Sequence, residues 1–430
     1  MNKVAKNAVW IIGGRIAQSV LALVINMLTA RYLGPSNYGL ITYASSLVAF
    51  VVPIMQLGLS NVLVQEIVNR PTEEGKVLGT SMVMSLVSSV FCIIGLTVFV
   101  FAVSPQETET IRVCFLYSIL LIFQALEHIQ YWYQAKLISK YTSIIGIGAY
   151  IAVSAYKIYL LATEKSVHWF ALSNALDYGI IAIAGIILYR RLGGQKLRFS
   201  WDVGRQMLTR SRHYILSSMM VTVFAQTDKI MINMMIGETA TGYYGAAVTC
   251  AGLLSFVYSA IIDSFRPSIF EGQNESKDLF RHRLTMLYSI VVYLSLAQSL
   301  FMTLFAKWII AFLYGNDYTP AISALRIIVW YTTFSYLGGA TSIWILANGK
   351  QNYLLRINLS GALANVVLNA ILIPSVGING AAIASLITQI FTNVIVCYII
   401  KEIRPNVGIM LQSLKPMYLF DAVHKLKQRT

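Results

Sequence analysis

Apolar runs of about 20 residues recur along the whole chain, separated by short polar segments. A helical run of that length spans the ~30 Å hydrocarbon core of a bilayer. The runs are continuously apolar and do not alternate, so they read as helices and not as barrel strands. Spans are expected near 8–30, 40–64, 77–103, 112–134, 141–162 and 167–189, then near 214–236, 242–265, 284–305, 321–346, 355–374 and 378–400. This pattern predicts an all-α integral membrane protein of twelve transmembrane helices. The first run is too long for a secretory signal, contains Arg15, and lacks a small-residue cleavage site before the next run begins. It is expected to remain as a helix.

One stretch occurs twice. Leu33-Gly34, with Gly39 and Ala44, is matched in spacing by Ile236-Gly237, with Gly242 and Ala247. Each copy follows an apolar run that contains a basic residue, Arg15 in the first case and Lys229 in the second. The repeat predicts two six-helix lobes: 1–190 as the N-lobe with helices 1–6, and 214–400 as the C-lobe with helices 7–12. Between them lies an amphipathic basic linker, 191–213, and after them a basic tail, 401–430. Internally repeated transporters bind at the repeat interface near the midplane, so the site is expected between the lobes.

Composition agrees with this reading: hydrophobic residues are 57% of the 430 and charged residues 12%. The net charge of +15 is a matter of topology. With a cytoplasmic N-terminus, 25 of the 33 Lys and Arg fall on inside segments and four on outside ones. Both termini of this multi-pass protein are therefore expected to be cytoplasmic. The excess of positive charge argues for no nucleic acid partner. The linker mixes Phe199 and Trp201 with Arg198, Arg205, Arg210 and Arg212, a composition suited to the anionic inner leaflet. In the tail, Pro405 and Pro416 are expected to interrupt any helix.

Several chemistries find no motif. The pairs Gly75-Lys76 and Gly349-Lys350 are followed by Val and Gln, so neither completes a phosphate-binding loop. There is no zinc-binding His-Glu-x-x-His, no nucleophile elbow and no soluble domain to house an active site. Cys92, Cys114, Cys250 and Cys397 are far apart within apolar runs and are expected to serve packing. Neither an enzyme nor a cofactor or metal site is expected.

Charge within the spans is the remaining signal, because ionisable groups at bilayer depth are costly and tend to mark function. The basic ones are Arg15, Lys157, Lys229 and Arg326, and the acidic ones are Glu127, Asp177, Asp228 and Asp263. Lys157 and Arg326 lie near outer helix ends, where snorkelling to the interface is the plain alternative. Asp228 and Lys229 are adjacent, so on a helix they point about 100° apart and each needs another partner. The four cations suit a phosphate-bearing substrate, with Arg able to bind it bidentately. The four acidic and four basic groups also fit a purely structural set of ion pairs.

The fourth span carries Glu127, Gln130, Tyr131 and Gln134 at helical spacing, a candidate polar stripe facing a cavity. Trp132 and Tyr133 read instead as an interfacial aromatic belt. Glu127 and His128 are titratable at depth, so with Asp177 and Asp228 they are the candidates for coupling to an ion.

These residues resemble a family. Arg31-Tyr32-Leu33-Gly34-Pro35 with Tyr38-Gly39, Trp132-Tyr133-Gln134, and Asp228-Lys229 followed by Gly242-Tyr243-Tyr244 are similar to the Wzx-type flippases of polysaccharide repeat units (O-antigen, capsule). Leu313-Tyr314-Gly315 with Tyr318, Asn365 with Asn369, and Pro374 with Gly377 and Gly380-Ala381-Ala382 extend the likeness. That family belongs to the multidrug, oligosaccharidyl-lipid and polysaccharide (MOP) exporter superfamily. The resemblance implies a MATE-like fold that moves an undecaprenyl-diphosphate-linked oligosaccharide from the inner to the outer leaflet by alternating access. It further implies a coupling ion, H+ or Na+, and, as partners, the polymerase and chain-length machinery of polysaccharide assembly. Two other functions stay open. A drug or cation antiporter of the same superfamily would centre on Glu127, Asp177 and Asp228, and a scaffold of the assembly complex would transport nothing.

Overall fold

The computed structural model describes the backbone of residues 3–418 and, within the first twenty residues, the side chains of Gln18 and Ser19. Every element is helical, and no strand occurs among the described residues. The chain divides into two compact units, Met1–Met234 and Met235–Thr430.

The first unit opens with α1 (Lys3–Met55), whose helical path is broken at Gly34, φ 68° and ψ 173°. Only glycine adopts that backbone region freely, and Pro35, which lacks an amide hydrogen, begins the renewed helix at little cost. α2 (Leu63–Asn69) and α3 (Glu74–Val103) follow. The next helical path is interrupted twice, into α4 (Thr108–Ser118), α5 (Leu120–Leu126) and α6 (Ile129–Ala135). α7 (Lys140–Ala162), α8 (Val167–Arg191) and α9 (Trp201–Met235) complete the unit.

The segment expected as a separate linker is part of this packing. Residues 192–200 lie along α3, where the Arg198 amide donates to Gly75 O at 3.1 Å and the Ser200 amide to Thr80 Oγ1 at 2.9 Å. From Trp201 onward the segment is already α9. Ser211 on that helix donates to Leu57 O at 2.8 Å, and Arg210 pairs with the buried Glu66 carboxylate of α2, which also holds Arg70 at 3.2 Å. Glu74, at the start of α3, pairs with Lys136 at 2.8 Å.

The second unit contains α10 (Glu238–Ala251), α11 (Ser255–Glu275), α12 (Lys277–Leu313), α13 (Ala321–Ala347), α14 (Asn352–Val376) and α15 (Ile378–Ile390). A π-helical turn, Phe391–Val396, leads into α16 (Cys397–Ile399), and α17 (Arg404–Gln412) follows. Pro405 starts α17 instead of breaking it, because a first-turn residue needs no amide hydrogen. Residues 419–430, the rest of the expected tail, lie outside the described residues. α17 is pinned by buried polar contacts: Tyr288 of α12 donates to Asn406 Oδ1 at 2.9 Å and lies 2.9 Å from the Thr341 hydroxyl of α13.

Each expected span coincides largely with helix. Nine described helices are long and apolar enough to cross a membrane, or ten if α10 and α11, bent by 42°, count as one span. The first two expected spans are joined in α1, and α13 is long but too polar for that count. Outward-facing side chains such as Phe91, Trp308 and Phe312 are apolar and 70–76% exposed, as a lipid-facing surface requires.

The aromatic belt expected on the fourth span is not there. Trp132 and Tyr133 are 4% and 0% exposed and pack in the core with Tyr189, whose ring meets Trp132 edge-on at 4.9 Å. The Tyr133 hydroxyl donates to Gly185 O at 2.7 Å, which satisfies its polar end inside the unit. All four cysteines are buried and carry free thiols, as packing residues would.

Candidate functional site

Glu127 and His128 occupy the break between α5 and α6. Around them the backbone bonds reach back three residues, from Glu127 N to Gln124 O at 3.2 Å and from Gln130 N to Glu127 O at 2.9 Å. This tightened turn is typical of a strained or functional point within a helical path. Beyond it, Glu127, Gln130 and Gln134 line a cavity of about 170 Å3 with Gln18 of α1 and Thr142 and Ser143 of α7. The polar stripe expected on this span therefore does face a cavity. Tyr131 is not part of that lining and lies towards Ser60.

Lys157 of α7 and Asp177 of α8 join this region. The Lys157 ammonium donates to Asn174 Oδ1 at 3.2 Å, and the Asn174 amide group is held by Phe170 O at 3.0 Å, which keeps its carbonyl turned to the lysine. Asn174 and Asp177 are three residues apart and share a face of α8. Asp177 is within electrostatic reach of Lys157, Glu127 and Tyr150. Its Oδ1 is shielded from solvent and accepts no hydrogen bond from a described residue, and the same holds for Gln124 Oε1. Unsatisfied buried acceptors are costly, and a proton or a small cation is the kind of group that would satisfy them.

Lys229 is held differently. Its ammonium donates to Gln226 Oε1 at 3.1 Å on α9 itself, and the 7% exposed Asp228 is its electrostatic neighbour. His128 is 1% exposed. The Ser81 backbone of α3 runs alongside its ring, and neither nitrogen makes a well-formed hydrogen bond to a described residue. Arg326 is exposed in the second turn of α13, in the second unit. Asp263 is paired with Arg266 at 3.2 Å on an exposed face of α11. The Arg15 side chain lies outside the described residues, although its backbone is part of α1.

The structure thus brings together Glu127, Asp177 and Lys157 from the expected set and keeps Asp228 with Lys229. The neutral amides Asn174, Gln124, Gln18 and Gln226 were not singled out from the sequence. Two left a local signal: Asn174 stands three residues before Asp177, and Gln226 three before Lys229. No cluster of three or more His, Cys, Asp or Glu suited to a metal occurs among the described residues.

Known proteins match along most of the chain. It is 19% identical over 406 residues to the capsular polysaccharide biosynthesis protein CapF of Staphylococcus aureus, covering 93% of this chain and 99% of that protein. Among solved structures, the lipid II flippase MurJ in an inward closed conformation superposes with a TM-score of 0.70 at 15% identity, over 94% of this chain and 91% of MurJ. An inward-facing multidrug resistance MATE transporter of the MOP superfamily gives a TM-score of 0.65 at 14% identity, over 92% and 96%. At such identities the likeness is one of fold. The family described as polysaccharide biosynthesis protein matches residues 4–273, and the chain belongs to that family.

Proposed function

We propose that the protein is a flippase that carries an undecaprenyl-diphosphate-linked oligosaccharide across the cytoplasmic membrane by alternating access, driven by an ion gradient. The observation that carries this reading is the setting of Lys157 and Lys229. Each ammonium gives its hydrogen bond to a neutral amide oxygen, Asn174 Oδ1 or Gln226 Oε1. A phosphate oxygen exchanged for such an amide offers the ammonium an opposite charge as well as an acceptor, so the lysines are placed to gain from an anionic substrate. Family membership and a fold shared with a lipid II flippase support the same reading. Glu127 and Asp177, with the unsatisfied Asp177 Oδ1, are the proposed site for the driving H+ or Na+.

The same acidic pair supports a second reading, a drug or cation antiporter, which the likeness to a multidrug transporter also favours. Transport of a labelled lipid-linked oligosaccharide in reconstituted vesicles separates the two. Lys157→Met and Lys229→Met should each abolish that transport while leaving the protein in the membrane, and the exposed Arg326→Gln should be milder. Undiminished flipping by both Met variants would remove the diphosphate assignment, and cation efflux without any flipping would favour the antiporter.

A further inference from the structure

Apart from the polar cavity, the first unit has an apolar groove of about 590 Å3 between α1 and α3. Val51 and Ile54 form one wall, Val83, Val87 and Phe91 the other. The Ser88 hydroxyl in its lining is already engaged, donating to Ile54 O at 3.2 Å. Such a surface holds hydrocarbon. On α3 the groove runs from Val83 to Leu96, about 20 Å at 1.5 Å per residue. That exceeds the ~15 Å of one leaflet's hydrocarbon, so a single acyl chain fits its length.

The mouth of the groove is cationic and aromatic. Phe199 and Trp201 close it, their rings 6.5 Å apart, and they are 50% and 70% exposed. Arg198 is fixed beside them: a Cβ placed on Gly79 would lie 2.6 Å from the Arg198 backbone, so the strap lies directly on α3 one turn before Val83. Arg205 follows Trp201 by one turn of α9. Both arginines are exposed, and neither forms an ion pair among the described residues. Asp202 is the one carboxylate on this stretch, against Arg190, Arg191, Lys196, Arg198 and Arg205.

We propose that α1, α3 and the 192–205 stretch bind one anionic membrane phospholipid, with an acyl chain in the groove and its phosphate on Arg198 and Arg205. Interfacial aromatics beside arginines on the polybasic side of a membrane protein suit such a headgroup. The site is independent of what the protein transports.

The test uses the full chain, purified and offered phosphatidylglycerol or phosphatidylcholine, with retained lipid counted by native mass spectrometry. Wild type should keep one phosphatidylglycerol in preference to phosphatidylcholine. Arg198→Gln and Arg205→Gln should each weaken phosphatidylglycerol retention about fivefold and together erase the preference. Gly95→Phe should abolish retention of both lipids by filling the groove. A Cβ at Gly95 meets nothing within 4 Å, so the helix itself tolerates the change, and an unaltered melting temperature in lipid-free detergent checks this. Equal retention of the two lipids by wild type, or wild-type retention by Gly95→Phe, would overturn the proposal. So would preferential retention of polyprenyl phosphate, or displacement of the lipid by glycerol phosphate alone.

Discussion

Gly34 and Gly237 share one quadrant of backbone space, φ 68° with ψ 173° at the first and φ 119° with ψ 179° at the second. Each ends one helical path and starts the next, and each is followed at the same spacing by a buried glycine and a fully buried alanine, Gly39 with Ala44 and Gly242 with Ala247. The sequence repeat is therefore also a repeat of backbone geometry.

A side chain at either glycine is strained by the backbone alone, since a Cβ there would meet no atom within 4 Å. Gly237→Ala should lower stability by about 1–3 kcal/mol. Thermal melting of the purified protein measures it, and an unchanged melting temperature would show that this conformation is not required.

The charge distribution predicts orientation. Reporter fusions after Leu192 and after Gly237 should read cytoplasmic and external respectively, given the 25 to four excess of basic residues on the same side as the N-terminus. The reverse pattern would invert every assignment of sides.

Coupling should depend on the acidic groups at depth. Asp177→Asn removes charge at the unsatisfied Oδ1 and keeps the shape, so flipping should persist only at a low rate that no longer responds to an imposed proton or sodium gradient. Asp228→Asn, beside Lys229, is the matched comparison. A gradient response equal to wild type in both variants would leave coupling to other residues.

Glu66 is 1% exposed and pairs with Arg210 and Arg70, so it ties α2 to the start of α9. Glu66→Ala should cost about 1.5–3 kcal/mol, the range for hydrogen bonds to a charged group. In a double-mutant cycle with Arg210→Ala, the second change should cost much less once the first is made. Fully additive losses in melting experiments would show that the pair contributes nothing as a pair.

The membrane class and the helix positions were legible from residues alone, because each depends on local quantities, run length and hydropathy; the repeat marked Gly34 and Gly237 by spacing, and their breaks in the helical path came with the structure. Of the expected stripe, Glu127, Gln130 and Gln134 face the cavity and were legible from helical spacing, whereas Tyr131, read with them, does not line it. Other features were decided by tertiary structure. Lys157 meets Asn174 across two helices, Glu127 comes within electrostatic reach of Asp177, and Trp132 and Tyr133 turn into the core instead of to the interface. In a membrane, lipid is as apolar as a protein core, so hydropathy does not tell which face of an apolar helix meets its neighbours. That face is chosen by packing and by the pairing of the few polar groups, and those contacts join residues far apart in the chain.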